Sequence, residues 1–196
     1  MKGVIIFLAE GFEDVEALAT CDVLRRGGVD VRIVSVTEDP FVVSSHGVAV
    51  GVDDTIDSFL PYVDMLGTDE KDVMIFPGGM PGTKNLAREE SLMAMMQQHY
   101  DDGGTVAAIC AAPGLVLGQL GDCLKGVSFT CFDGFEELPE KCGAVFSPKA
   151  AVSCGRIITG RSAGHAISFG LAILEKVTDN RTAEKTSNAM YLKWTA

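Results

Sequence analysis

The chain predicts an α/β fold, a mainly parallel sheet with helices on both faces, in one domain over residues 1–196. Strand-like apolar runs alternate with stretches of helical length, the signature of parallel α/β topology. The runs Val4–Leu8 and Thr105–Ile109 are continuously apolar, as strands covered on both faces are. No linker, repeat or low-complexity tract breaks the pattern, and 196 residues suffice for one core.

The elements follow in order. Val4–Leu8 is the first strand, and a helix from Glu13 stops at Gly27-Gly28. Val29–Val36 is the second strand. Phe41–Val52 carries Ser45-His46-Gly47 between β-branched segments and reads as a hairpin at a sheet edge. Asp57–Met65 is ambiguous, with a short helix broken at Pro61 as one reading. Val73–Phe76 is the third core strand, leading into Pro77-Gly-Gly-Met-Pro-Gly82. Asn85 to Asp101 is helical, in one or two pieces, and ends at Gly103-Gly104. The strand Thr105–Ile109 leads through Cys110 into a helix reaching about Leu120, with Pro113 in its first turn. Val127–Thr130 and Ile157–Thr159 are further strands, with a less regular stretch between them. The helices Ala163–Val177 and Thr182–Leu192 close the chain.

Composition narrows the partners. With 16 Lys and Arg against 27 Asp and Glu, the net charge of −11 disfavours nucleic acid and anionic membranes. No apolar run reaches the length of a membrane span, and Met1–Ala9 is too short for a signal peptide before Glu10 interrupts it. The six cysteines, at 21, 110, 123, 131, 142 and 154, show neither a CxxC pair nor metal-type spacing. A cytoplasmic protein with reduced thiols and no bound metal is expected. No phosphate loop or dinucleotide fingerprint is present, so no nucleotide cofactor is implied.

In an open parallel sheet, sites form outside the carboxyl ends of the strands. Three loops start there: Ala9–Glu13, the one holding Gly78-Gly79, and the one at Cys110. A cysteine between strand and helix faces free backbone N–H groups and the positive helix end, which favour thiolate; the bland alternative is a small buried hydrophobe. On a helical wheel Glu16 falls inside the stripe Phe12, Val15, Ala19 and Val23, as a capping group or a site acid. Beside a thiolate, a poorly solvated Glu16 should stay protonated. Gly78 and Gly79 can turn N–H groups toward an oxyanion together with the Ala111 N–H, although a bare Gly-Gly turn is the simpler reading of the pair alone. Among the histidines, His99 sits beside Gln97, Gln98 and Asp101 and reads as surface, and His165 as solvent-facing. His46, at the hairpin tip, can reach a cleft of its own or a partner chain. Cys131 follows a strand and is a candidate for the same cleft, including a regulatory disulfide with Cys110.

Five segments carry a family resemblance: Gly11-Phe-Glu-Asp-Val-Glu-Ala17, Asp22-Val-Leu-Arg-Arg-Gly-Gly28, Phe76-Pro-Gly-Gly-Met-Pro-Gly82, Ala107-Ala-Ile-Cys-Ala-Ala-Pro113 and Ile158-Thr-Gly-Arg161. With them the chain resembles the ThiJ/PfpI superfamily, in the branch of the parkinsonism-associated protein deglycase and its bacterial relatives. The resemblance implies a flavodoxin-like three-layer sandwich, a homodimer, and an oxidisable nucleophile on a strained elbow. It makes Cys110 that nucleophile, Glu16 its protonated partner, and Gly79 and Ala111 the backbone donors. His46 falls where a relative has a cross-dimer arginine, and Arg161 matches a family arginine near the site. Three positions depart from the family pattern. Ala111 replaces the histidine of the peptidase-like branch, Thr130-Cys-Phe132 lacks the deglycase histidine, and Ser162-Ala163-Gly164 replaces Gly-Pro-Gly.

Two readings of function follow. One is a cofactor-independent thiol enzyme of small reactive carbonyls, glyoxalase- or deglycase-like. The other is a non-enzymatic redox sensor or stress-response protein using the same cysteine. A cysteine peptidase and an amidotransferase-like hydrolase rank below both, the first for want of histidine after Cys110, the second for want of a downstream histidine-glutamate pair.

Overall fold

The computed structural model describes residues 1–59 and 67–192. Its strands are β1 (Val4–Leu8), β2 (Val31–Ser35), β3 (Phe41–Val43), β4 (Ala49–Gly51), β5 (Asp54–Thr55), β6 (Val73–Phe76), β7 (Thr105–Ile109), β8 (Ser128–Phe129), β9 (Val145–Phe146), β10 (Ala151–Cys154) and β11 (Ile157–Gly160). Its helices are α1 (Asp14–Arg26), α2 (Ile56–Phe59), α3 (Gly82–Arg88), α4 (Glu90–Asp101), α5 (Ala112–Leu115), α6 (Glu137–Lys141), α7 (Ala166–Val177) and α8 (Asn180–Ala189). Seven strands form the central sheet in the order β10-β11-β7-β6-β1-β2-β5. All its pairings are parallel except β10 against β11.

The continuous apolar runs divide between two cores, because successive side chains on a strand point to opposite faces. Ile5 and Phe7 enter one core, beneath α3, α4 and α5. Val4, Ile6 and Leu8 enter the other, beneath α1 and α7. Met74 and Phe76 part from Val73 and Ile75 in the same way, as do Val106 and Ala108 from Ala107 and Ile109. The result is a three-layer, flavodoxin-like sandwich.

Several elements differ from expectation. Helix α1 buries Glu16, Ala17, Thr20, Cys21, Val23 and Leu24, while Val15 is 50% exposed. The expected stripe was thus rotated, and Glu16 is buried as part of a different face. The hairpin β3–β4 forms its own two-stranded sheet. Strands β8 and β9 pair with each other outside the central sheet. The helix after Cys110 lasts one turn and passes into a 3-10 segment, Leu117–Leu124, broken where Gly121 takes φ +54. Gly114 and Gly118 explain the short helix. A Cβ at Gly114 would lie 2.3 Å from the Phe135 carbonyl oxygen, and one at Gly118 would lie 2.6 Å from the Leu138 side chain. Close packing of the following segment requires the two glycines, which are poor helix formers. Of the Asp57–Met65 expectation, residues 60–65 lie outside the described residues.

Candidate active site

Cys110 sits at the end of β7 with φ +65, in the left-handed region that a side chain rarely adopts. Such a backbone costs about 1–3 kcal/mol and persists only when its surroundings hold it. Two hydrogen bonds do so: the Cys110 N–H donates to the Gly160 carbonyl (3.0 Å), and the Phe132 N–H donates to the Cys110 carbonyl (2.8 Å). The side chain is half-buried and packs against the core under α1 and α7.

Glu16, only 1% exposed, comes to Cys110 from α1. Its Oε2 accepts the Gly78 N–H at 2.8 Å, the Cys110 thiol crowds the same glycine, and its Oε1 is buried without a hydrogen-bond partner among the described residues. The first turn of the helix is pinned by Glu13, which caps it by accepting the Glu16 N–H at 2.7 Å. Gly78 is the hinge of the arrangement. A Cβ there would stand 2.5 Å from Glu16 Oε2 and 2.7 Å from Cys110 Cβ. Gly79, at φ +92, presses on the other loop, where a Cβ would lie 2.4 Å from the Glu13 nitrogen. The two loops are stitched by the Glu13 N–H to the Gly78 carbonyl (3.0 Å) and the Gly82 N–H to the Gly11 carbonyl (3.1 Å).

The electrostatics depart from the expected standing thiolate. Burial pushes the Glu16 carboxyl up to about 7, opposed by its hydrogen bonds to Cys110 and Gly78. Burial also pushes the Cys110 thiol up, as does the negative charge of Glu16, while the N–H groups of Ala111 and Gly79 pull it down. Neither anion is well solvated, so the pair resists carrying two charges. A single-turn helix supplies too little dipole to reverse this; the expectation rested on a longer one.

The remaining candidates separate. Gly78, Gly79, Ala111, Glu16 and Cys110 come together. His46 does not join them: it is exposed and binds Asp14 Oδ2 at 2.5 Å through Nδ1. Glu13, Asp14 and His46 present donor atoms within 4.8 Å of one another, the set a metal would need. Cap, ion pair and the Ser44 hydroxyl already engage those groups. Cys131 is fully buried in the core on the face opposite the one Cys110 packs against, with its thiol pushed up to about 12 by burial. Both cysteines are free, and the Phe132 N–H bond to the Cys110 carbonyl brings the Cys131 backbone beside the elbow. Arg161 follows β11 beside the elbow and forms an ion pair with Asp133. His99 is not on the surface but 1% exposed, and His165 is half-buried against the Ser162 hydroxyl at 2.9 Å. Sequence reasoning missed Glu13, although its place three residues before Glu16 is a capping signal.

An α/β sandwich that sets a strained cysteine at a strand end beside a buried carboxyl defines the class of nucleophile-elbow proteins. The chain belongs to the DJ-1/PfpI family, whose model matches residues 2–176. It is 34% identical over 193 residues to protein DJ-1 homolog A of Arabidopsis thaliana, covering 98% of this chain and 47% of that one. The chain thus spans about half the length of this plant relative. To protein DJ-1alpha of Drosophila melanogaster it is 30% identical over 195 residues, covering 99% of this chain and 85% of that one. Among solved structures, a DJ-1 superfamily protein from Salmonella typhimurium superposes with TM-score 0.86 at 30% identity, covering 99% of this chain and 100% of that one. The oxidized DJ-1 of Toxoplasma gondii also gives 0.86, at 28% identity over 97% and 98% of the two chains. Among the described residues, no helix is long and apolar enough to cross a membrane.

Proposed function

We propose that the protein is a cofactor-independent thiol enzyme of small 2-oxoaldehydes. One observation carries the reading: the buried Glu16 carboxyl and the thiol of the strained Cys110 both crowd the same Gly78, and burial pushes that carboxyl up to about 7. A group of that pKa suits proton transfer near neutral pH. Glu16 takes the thiol proton as the sulfur adds to the aldehyde carbon. The N–H groups of Gly79 and Ala111 stabilise the anionic charge that develops. The resulting hemithioacetal loses its carbon-bound proton to a base, and the neighbouring ketone carbon gains one, giving a thioester of a 2-hydroxy acid. Water then cleaves the thioester, releasing the acid and restoring the thiol. One water is consumed, the aldehyde carbon is oxidised and the ketone carbon reduced, so no external oxidant enters. The test is lactate release from methylglyoxal. Wild type should release it and Cys110→Ser should not; equal rates would overturn the assignment.

A second reading is a redox sensor that stores peroxide damage as a Cys110 sulfinate, held by the Glu16 proton. It is favoured by the oxidised state in which the Toxoplasma relative was solved. Selective gain of two oxygens at Cys110 in peroxide, without turnover of any carbonyl, would select it. In either role the chain acts in the cytoplasm as a homodimer. Exposed Val15 and Leu18 on α1 and Phe41, Val43 and Val48 around the hairpin supply an apolar face.

A further inference from the structure

We propose that Asp14, Ser44 and His46 are positioning residues that lock the β3–β4 hairpin over the start of α1 and so keep Glu16 out of water. The proposal rests on the reading of Glu16 as the base of the site and deepens it. The loop Ala9–Glu13 lies between two others. On one side the Glu13 N–H donates to the Gly78 carbonyl (3.0 Å) and the Gly82 N–H to the Gly11 carbonyl (3.1 Å). Those bonds tie it to the segment whose Gly78 N–H also holds Glu16 Oε2. On the other side lies the hairpin. The Gly11 N–H donates to the Val43 carbonyl and the Ser45 N–H to the Phe12 carbonyl, both at 2.8 Å. The Val43 N–H donates to the Glu10 carboxylate at 3.0 Å.

Asp14 closes this arrangement at the hairpin tip. The Ser44 hydroxyl donates to its Oδ1 and His46 Nδ1 to its Oδ2, each at 2.5 Å. Ser44 Oγ in turn accepts the N–H groups of His46 (3.2 Å) and Val48 (3.0 Å). One carboxylate therefore joins the turn of the hairpin to the helix whose third residue is Glu16. The hairpin depends on such bonds. Its strands pair only with each other, and of their residues only Val42 is buried. A two-stranded hairpin alone is marginal in water. Both members of the ion pair are charged at neutral pH. Burial opposes the Asp14 charge, but the bonds from Ser44 and His46 hold its carboxyl below the usual range. The bond to Asp14 and its charge hold the His46 imidazole above its usual value, with Glu13 adding to them. The titratable neighbours of Glu16 itself are Cys110 across the cleft and Glu13 on the same turn, and burial is the leading cause of its raised pKa. Water admitted to the first turn of α1 lowers that pKa.

Removing His46 separates a lock from a simple charge effect, because the two have opposite signs. Loss of the cation leaves the Asp14 charge uncompensated near Glu16, which by itself raises a carboxyl pKa. Loosening the hairpin lowers it. The test is the titration of Glu16 in the whole protein, read from the carboxyl signal of carbon-13-labelled glutamate and assigned with Glu16→Gln. Wild type should titrate near 7. His46→Ala and Ser44→Ala should each lower the midpoint by about half a pH unit or more, as partial rehydration of a buried carboxyl does. An unchanged or raised midpoint in His46→Ala overturns the proposal, as does a wild-type midpoint near 4.5. Turnover of methylglyoxal is a separate readout. If wild type turns over no carbonyl, a lowered midpoint in His46→Ala still supports the lock, and the enzyme reading alone fails. In an active wild type, the rising limb of kcat/KM should move to lower pH in His46→Ala together with the midpoint.

Discussion

The two ends of the sheet each bury a titratable side chain, and they treat it oppositely. At the amino ends of β6 and β7, His99 is completely matched. Its Nε2 donates to the carbonyls of Asp72 (3.1 Å) and Thr105 (3.0 Å), which can only accept. Its Nδ1 therefore accepts, from the Met1 ammonium at 3.3 Å. At the carboxyl ends, Glu16 keeps an oxygen unmatched beside a strained cysteine. Both side chains lie against a glycine that could not carry a Cβ, Gly104 at His99 and Gly78 at Glu16. Similar burial and packing thus serve a fully matched contact at one end and an incompletely matched one at the other.

The sharpest way to break that contrast is to change each acid–base group. Glu16→Gln keeps the shape and the Gly78 hydrogen bond but cannot take a proton. Turnover should fall about 10²–10⁴-fold, measured as kcat on methylglyoxal. His99→Ala removes the buried partner of two carbonyls and leaves a cavity, so unfolding free energy should fall about 2–4 kcal/mol by urea titration. The kcat of its folded fraction should match wild type. A loss of kcat in His99→Ala equal to that in Glu16→Gln would erase the distinction between the ends.

The glycines sharpen the same contrast at smaller scale. In Gly78→Ala the new methyl group would meet Glu16 Oε2 at 2.5 Å and Cys110 Cβ at 2.7 Å. Misplacing the reacting groups should lower kcat about 10²-fold. In Gly104→Ala the methyl group would meet the His99 ring at 2.2 Å, so the midpoint of urea unfolding should drop while kcat per folded molecule stays. Equal kcat losses in the two variants would show that both ends serve the chemistry.

The sequence made the sheet legible because continuous apolar runs have few other uses, and β1, β6 and β7 lie where those runs do. The meeting of Cys110, Glu16 and Gly78 was legible through topology, since all three follow or flank strand ends. His99 was not. Its helical neighbours Gln97, Gln98 and Asp101 are polar, and nothing local reveals that carbonyls from two strand ends face it. The charge state of Cys110 was hidden for a similar reason: strand-to-helix junctions look alike whether the helix lasts one turn or three. Desolvation and the approach of Glu16 are tertiary facts.

The last contrast is in the pH dependence of stability, where the two ends pull in opposite directions. Folding lowers the His99 pKa from 6.5 to about 4, because burial and the neighbouring ammonium oppose its charge. Its contribution is fully present above 6.5 and is lost as pH falls toward 4, by about 3 kcal/mol in all. Folding raises the Glu16 pKa from 4.5 to about 7, so its contribution is complete below 4.5 and lost as pH rises toward 7, by a similar amount. Glu16→Gln should therefore gain up to about 3 kcal/mol over wild type at pH 8 and nothing at pH 4. The variant expected to lose most activity is then the more stable one in alkali, because the ionised carboxylate that the proposed function uses as base is also the costly buried charge. The same charge sets an activity limb: kcat/KM of wild type should rise with pH through about 7, and Glu16→Gln should lose that rise. A Glu16→Gln stability profile parallel to wild type from pH 4 to 8 would mean that Glu16 is not held against its charge, and the cleft would lose its base.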